Sequence, residues 1–163
     1  HDTVRRQRQM CIRDSIYSDG GREAAGYKGQ TGDCVLRAIA IATGLPYAQV
    51  RTDLMERTKE YRATRRTKKA KRMTNNSAFN GVYDDIYKPY LLELGWQWVP
   101  CTAIGSKERV HVCASELPNG TLILRLSRHL ATWKDGMLHD THDCSRNGQR
   151  MVYGYFKQGE PNQ

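Results

Sequence analysis

A polar, glycine-punctuated stretch from Gly29 to Asp33 leads directly into Cys34, and an apolar, alanine-rich run follows before Gly44. Val35, Leu36, Ala38, Ile39 and Ala42 recur at helical spacing, and Gly44 supplies a C-terminal stop. A helix this short and apolar on most sides has little face to give to water. It predicts a central helix around which the other elements must pack. It also places the Cys34 thiol on the first turn. There the unpaired backbone N–H groups and the positive dipole end favour the thiolate, the species that attacks carbonyl carbon. The plainer reading of such a cysteine is a small buried side chain.

The rest of the chain divides into helices and then strands. Residues 16–33 read as an extended lead-in. Leu45-Pro46-Tyr47 opens a second helix with Pro46 at a tolerated first-turn position, and Tyr47, Val50, Leu54 and Tyr61 form its apolar stripe. Residues 62–80 contain almost no core-forming side chains and read as a frayed helix end passing into a basic loop. Gly81 to Leu94 carries apolar residues at helical spacing around Pro89. That pattern fits a kinked helix or one beginning near Pro89, with Gly95 ending it. From Trp96 the period changes to two. Trp96–Pro100, Thr121–Leu126, His129–Trp133, Met137–Asp140 and Met151–Phe156 read as strands, and Asp135-Gly136 is a hairpin signal. Trp96, Trp98, Trp133, Tyr153 and Tyr155 are expected in core or strand-face packing. Helices first and an antiparallel sheet second predict an α+β fold.

With 163 residues, one domain is expected. Residue 1 is His, and Met10 to Ser15 looks like a translated sequencing adapter, so residues 1–15 are expected to be a non-native or disordered tail and 16–163 the single domain. That tail holds four arginines and two aspartates, so without it the formal charge falls from +9 to +7. No apolar run approaches the roughly 20 residues of a membrane span, and no membrane association is expected. The five cysteines are odd in number and irregularly spaced, which argues against a disulfide framework and for a reducing, cytoplasmic setting.

A cysteine nucleophile needs a base within hydrogen-bond reach, and the base needs an orienting acceptor. The Asp135-Gly136 hairpin tests the second requirement. With a two-residue turn, Lys134 pairs with Met137, Ala131 with Asp140, and His129 with His142. His129 and Asp140 then share a face as diagonal neighbours, about 7–8 Å apart at the backbone, while Asp143 falls on the other face. A three-residue turn would reverse this parity. A polar turn, a cysteine on an apolar helix, then His-strand-turn-strand-Asp together suggest a thiol hydrolase.

The segment GDCVLRAIAIATG resembles the nucleophile block of ovarian-tumour-type deubiquitinases. It resembles more closely a group of small papain-like proteins common in phage and bacterial genomes, which share a Gly-Trp-x-Trp-Val-Pro strand (here Gly95 to Pro100) and a His-strand-Asp-Gly-strand-Asp block (here His129 to Asp143). The resemblance spans about residues 27–156. It implies a papain-like cysteine peptidase, cleaving a peptide or isopeptide bond without a cofactor, with Cys34 as nucleophile, His129 as base and Asp140 as orienting acid. In papain-like enzymes a glutamine about six residues before the cysteine serves the oxyanion hole. Gln30 lies four before it, and the oxyanion donors are expected to be the Cys34 N–H with the Asp33 N–H or the Gln30 side chain.

Two other readings stay open. The chain could keep this frame without turnover and bind nucleic acid or an acidic protein through Arg57 to Arg72, with Arg65, Arg66, Lys68, Lys69, Lys71 and Arg72 as contacts. The same site could instead catalyse amide hydrolysis or transglutamination. His111, Cys113, His139, His142 and Cys144 supply metal-ligand chemistry, but their spacing matches no zinc motif, and no metal is expected. The polar loops 62–80 and 102–118, where specificity would lie, leave the substrate open.

Overall fold

The structure, a computed structural model, describes residues 15–27, 33–73, 84–101 and 109–159. The helices are α1 (Cys34–Thr43), α2 (Tyr47–Thr64), α3 (Lys68–Arg72) and α4 (Asp84–Glu93). The strands are β1 (Ile16–Tyr17), β2 (Trp96–Pro100), β3 (Val110–His111), β4 (Thr121–Leu126), β5 (His129–Lys134), β6 (Met137–Asp140), β7 (Met151–Val152) and β8 (Gly154–Gln158). Six strands form one sheet in the order β1-β6-β5-β4-β8-β2, and β3 pairs with β7 apart from it. Every pairing is antiparallel except β1 with β6. The molecule is α+β.

Strand alternation divides the buried side chains into two cores. Ile123, Leu130, Phe156 and Trp96 pack with α1, α2 and α4. Leu122, Leu124, Leu126, Ala131, Trp133 and Leu138 pack with Val112, Leu117, Cys144 and Val152 on the other side. The helix of Cys34 is central, as its composition requires: Leu36 and Ile39 are both fully buried. Gly44 ends it in the left-handed region at φ 75°, where its N–H bonds to the carbonyl of Ala40 at 3.0 Å.

Several expectations are corrected. Residues 68–72 form a short helix rather than a loop, because the Thr67 side chain accepts from the Ala70 N–H at 3.1 Å and caps it. Ala70 and Met73 are buried there, so the segment does contribute to the core. The last strand is two. Chain pairing changes at Tyr153, with β7 going to β3 and β8 to β4 and β2. Val110–His111, expected within a polar loop, is β3. Of the two alternatives around Pro89 the structure takes the first: α4 starts at Asp84 and runs through Pro89. Cys34, Cys101 and Cys144 are free thiols. No helix among the described residues is long and apolar enough to cross a membrane.

Candidate active site

The β5–β6 hairpin takes the two-residue turn. Lys134 pairs with Met137, Trp133 with Leu138 and Thr132 with His139. Asp135 (φ 46°) and Gly136 (φ 84°) both take positive φ, as a type I′ turn demands. The Asp135 carboxylate anchors the turn by accepting from the Gly120 N–H at 2.8 Å. This register brings His129 and Asp140 together, with Nε2 of the ring 2.6 Å from Oδ2 of the acid. Both side chains are nearly enclosed, at 10% and 4% exposure.

Asp140 is held from several sides. Its Oδ1 accepts from the Thr141 N–H at 2.7 Å. Its backbone pairs with Tyr17 of β1, and its carbonyl accepts from the Ser18 N–H at 3.0 Å. The Arg37 guanidinium stands 3.6 Å from Oδ1. Burial alone would raise the carboxyl pKa, but the hydrogen bond and charge of His129, the Thr141 N–H and Arg37 outweigh it and hold Asp140 below its ordinary value.

The half-buried Cys34 opens α1, which packs against β5. Burial disfavours its thiolate. The neighbouring His129 side chain and Leu130 backbone, with the charges of His129 and Arg37, favour it and outweigh burial, so the pKa of Cys34 is lowered. Burial likewise opposes the imidazolium, yet the hydrogen bond to Asp140, the neighbouring Cys144 and Cys34 thiols and the charge of Asp140 push the pKa of His129 up to about 11. The thiol is shifted down and the imidazole up, each favouring its charged form beside the other.

The three residues expected from sequence are thus brought together. Asp33 precedes Cys34 and is buried, but its carboxylate does not cap α1. Gln30 lies outside the described residues. Of the basic residues, Arg65, Arg66, Lys68, Lys71 and Arg72 are exposed, while Lys69 pairs with Asp85 at 2.5 Å. Asp143 stays away from the site, accepting from Ser145 instead.

Sequence reasoning missed Arg37, the Asp33 carboxylate and Cys144. The i, i+4 spacing of Asp33 and Arg37 could have signalled their pairing. Nothing local signals Cys144, which the fold brings close enough to His129 to raise its pKa.

His129, Asp140 and His142 also place one potential ligand atom each within 4.8 Å of one another. Two imidazoles and a carboxylate suit zinc or a similar ion. Of the residues weighed for zinc from sequence only His142 belongs to this group, while His111 bonds to Glu116 at 3.1 Å. Comparison with family models, curated proteins and solved structures finds no match for this chain.

Proposed function

We propose that the protein is a cysteine-dependent acyl-transfer hydrolase of papain-like type, cleaving a peptide or isopeptide bond through Cys34, His129 and Asp140. The observation that carries this reading is the imidazole of His129, which lies 2.6 Å from the Asp140 carboxylate and beside the Cys34 thiol, whose pKa it lowers.

The Cys34 thiolate attacks the carbonyl carbon, and the C=O pair moves onto oxygen. The Cys34 N–H, at a helix start without an intrahelical acceptor, and the Asp33 N–H stabilise that oxyanion. One such donor is worth about 3–4 kcal/mol. The C–N bond then breaks as His129 passes its proton to the leaving amine. Water, deprotonated by His129, attacks the thioester and releases the acid and the thiolate. Asp140 keeps the ring oriented and its charge balanced throughout.

The test is alkylation by iodoacetamide at pH 6 with mass mapping. Cys34 is expected to react at least tenfold faster than a model thiol, and faster than Cys101, whose pKa burial raises, or the buried Cys144. His129→Asn removes the excess rate. A wild-type Cys34 no faster than the model thiol sinks the reading. A peptide-based activity probe, compared with Cys34→Ala, then addresses substrate class.

The exposed cluster Arg65, Arg66, Lys68, Lys71 and Arg72 favours the second reading, a binding module for nucleic acid or an acidic protein. Phosphate binding would fall steeply with salt. Absence of retention of single- and double-stranded oligonucleotides at low salt removes nucleic acid from it.

A further inference from the structure

We propose that Arg37 is a positioning residue of this site. It draws the Asp33 carboxylate away from the helix end that carries Cys34 and braces Asp140 with the same guanidinium. The inference rests on the acyl-transfer reading above and extends it.

The starting point is an aspartate that does not do the usual thing. Asp33 stands at the N-cap of α1, where an aspartate normally accepts from the N–H groups of the first turn. Here no such side-chain bond exists. The carboxylate turns aside to two donors, Nη1 of Arg37 and the hydroxyl of Tyr47 at 2.6 Å, and to the charge of Arg22, whose Nε stands 3.0 Å away. Its side chain has no exposed surface at all. A buried carboxylate demands such compensation.

The location makes the diversion consequential. An uncompensated negative charge on the residue preceding the nucleophile would oppose the thiolate and occupy the amides that an oxyanion needs. Arg37 prevents both. One helical turn beyond Cys34, and only 13% exposed, its fork reaches Asp33 with one nitrogen while the other lies 3.6 Å from Oδ1 of Asp140. It therefore links the acid behind the nucleophile to the acid behind the base. The approach of Gly20 fixes that side of the helix. A Cβ there would lie 3.0 Å from the Arg37 carbonyl oxygen, and the φ of 69° favours glycine besides. This turn also carries Arg22.

The guanidinium geometry matters because two carboxylates must be served at once. A lysine offers the charge but not the planar fork.

The experiment is the pH dependence of Cys34 alkylation in the full chain, comparing wild type, Arg37→Lys and Arg37→Met. Val50→Ala, which opens a cavity in α2 and removes no charge, controls for lost stability. The alkylation midpoint is expected to rise by about one unit in Arg37→Met. Arg37→Lys should fall between it and wild type, and Val50→Ala should leave the midpoint in place. An Arg37→Met midpoint equal to a depressed wild-type midpoint overturns the proposal and spares the acyl-transfer reading. A wild-type midpoint at the model-thiol value overturns that reading instead. Should Arg37→Met fail to fold, Arg37→Lys decides: a midpoint and plateau rate equal to wild type overturn the role of the fork, and a raised midpoint supports it.

Discussion

The hydroxyl of Thr132 donates to the carbonyl oxygen of Ala38 at 2.6 Å, joining β5 to α1 in the buried layer between them. Thr132 follows His129 on its strand, and Ala38 follows Cys34 on its helix. The bond therefore fixes the relative height of the two segments that carry thiol and imidazole. Ala38 has a second lone pair for its helical partner, so the helix ladder survives loss of the hydroxyl.

Thr132→Val keeps the shape and removes the bond. Expected is a loss of about 1 kcal/mol in urea unfolding. A few-fold slower alkylation of Cys34 at pH 7 is also expected, with the pH midpoint unchanged. A variant with wild-type stability and rate would show that strand and helix are held by apolar packing alone.

The His129–Asp140 pair makes stability depend on pH in a defined direction. The pKa of His129 is raised, so its contribution is whole below the ordinary 6.5 and drains away as pH climbs toward about 11. That of Asp140 is lowered, so its contribution is whole above the ordinary 3.8 and is lost as pH falls through the folded value. The two overlap fully between those ordinary values. Cys34 runs the opposite way in alkali, because a lowered thiol pKa contributes above its ordinary value. A Cys34→Ala background isolates the pair. There, Asp140→Asn is expected to cost about 1.5–3 kcal/mol at pH 5.5, and less at pH 2.5 and at pH 9. Urea midpoints at the three pH values check it, and a cost that does not vary with pH contradicts the assigned shifts.

A triad and a metal centre make different demands on the His129, Asp140 and His142 group. If the ring serves Cys34, dialysis against EDTA leaves the pH 6 alkylation rate unchanged, and His142→Ala also leaves it within about twofold, since His142 is exposed, hydrogen-bonds to the neighbouring Thr141 at 3.3 Å and meets His129 only ring to ring, with centroids 5.5 Å apart, among the described residues. Loss of the rate on chelation, restored by zinc, would transfer the site to metal chemistry.

The hairpin was legible because Asp135-Gly136 sets parity by itself: a two-residue turn leaves one register, and with it Asp140 lands beside His129. The helix of Cys34 was legible from apolar spacing and the Gly44 stop. What escaped depends on contacts distant in sequence. Arg37 looks like a polar break in an apolar helix until Asp33, Arg22 and Asp140 surround it. Ala70 and Met73 sit among charges, and their burial follows from tertiary packing rather than local pattern. The division of the last strand at Tyr153 follows from a change of partners, since its N–H bonds to the Arg125 carbonyl and its own carbonyl accepts from Cys101.

Gly154, at the start of β8, lies against the Trp98 ring. A Cβ built there would stand 2.3 Å from Cη2 and 2.9 Å from the Val99 carbonyl oxygen. The indole cannot simply retreat, because it packs on Phe156 with centroids 4.9 Å apart and carries the Lys88 ammonium 4.5 Å from its ring centre. Backbone retreat would strain the β2–β8 ladder, where Pro100 pairs with Gly154. Gly154→Ala is therefore expected to destabilise by overpacking, about 1–3 kcal/mol. The cause can be separated from any backbone preference. In a Trp98→Leu background the ring is gone and only the carbonyl contact remains, so the added methyl should cost less than half as much. The measurement is a urea-unfolding double-mutant cycle. Equal penalties in both backgrounds would assign the glycine to backbone geometry and remove the indole from the account.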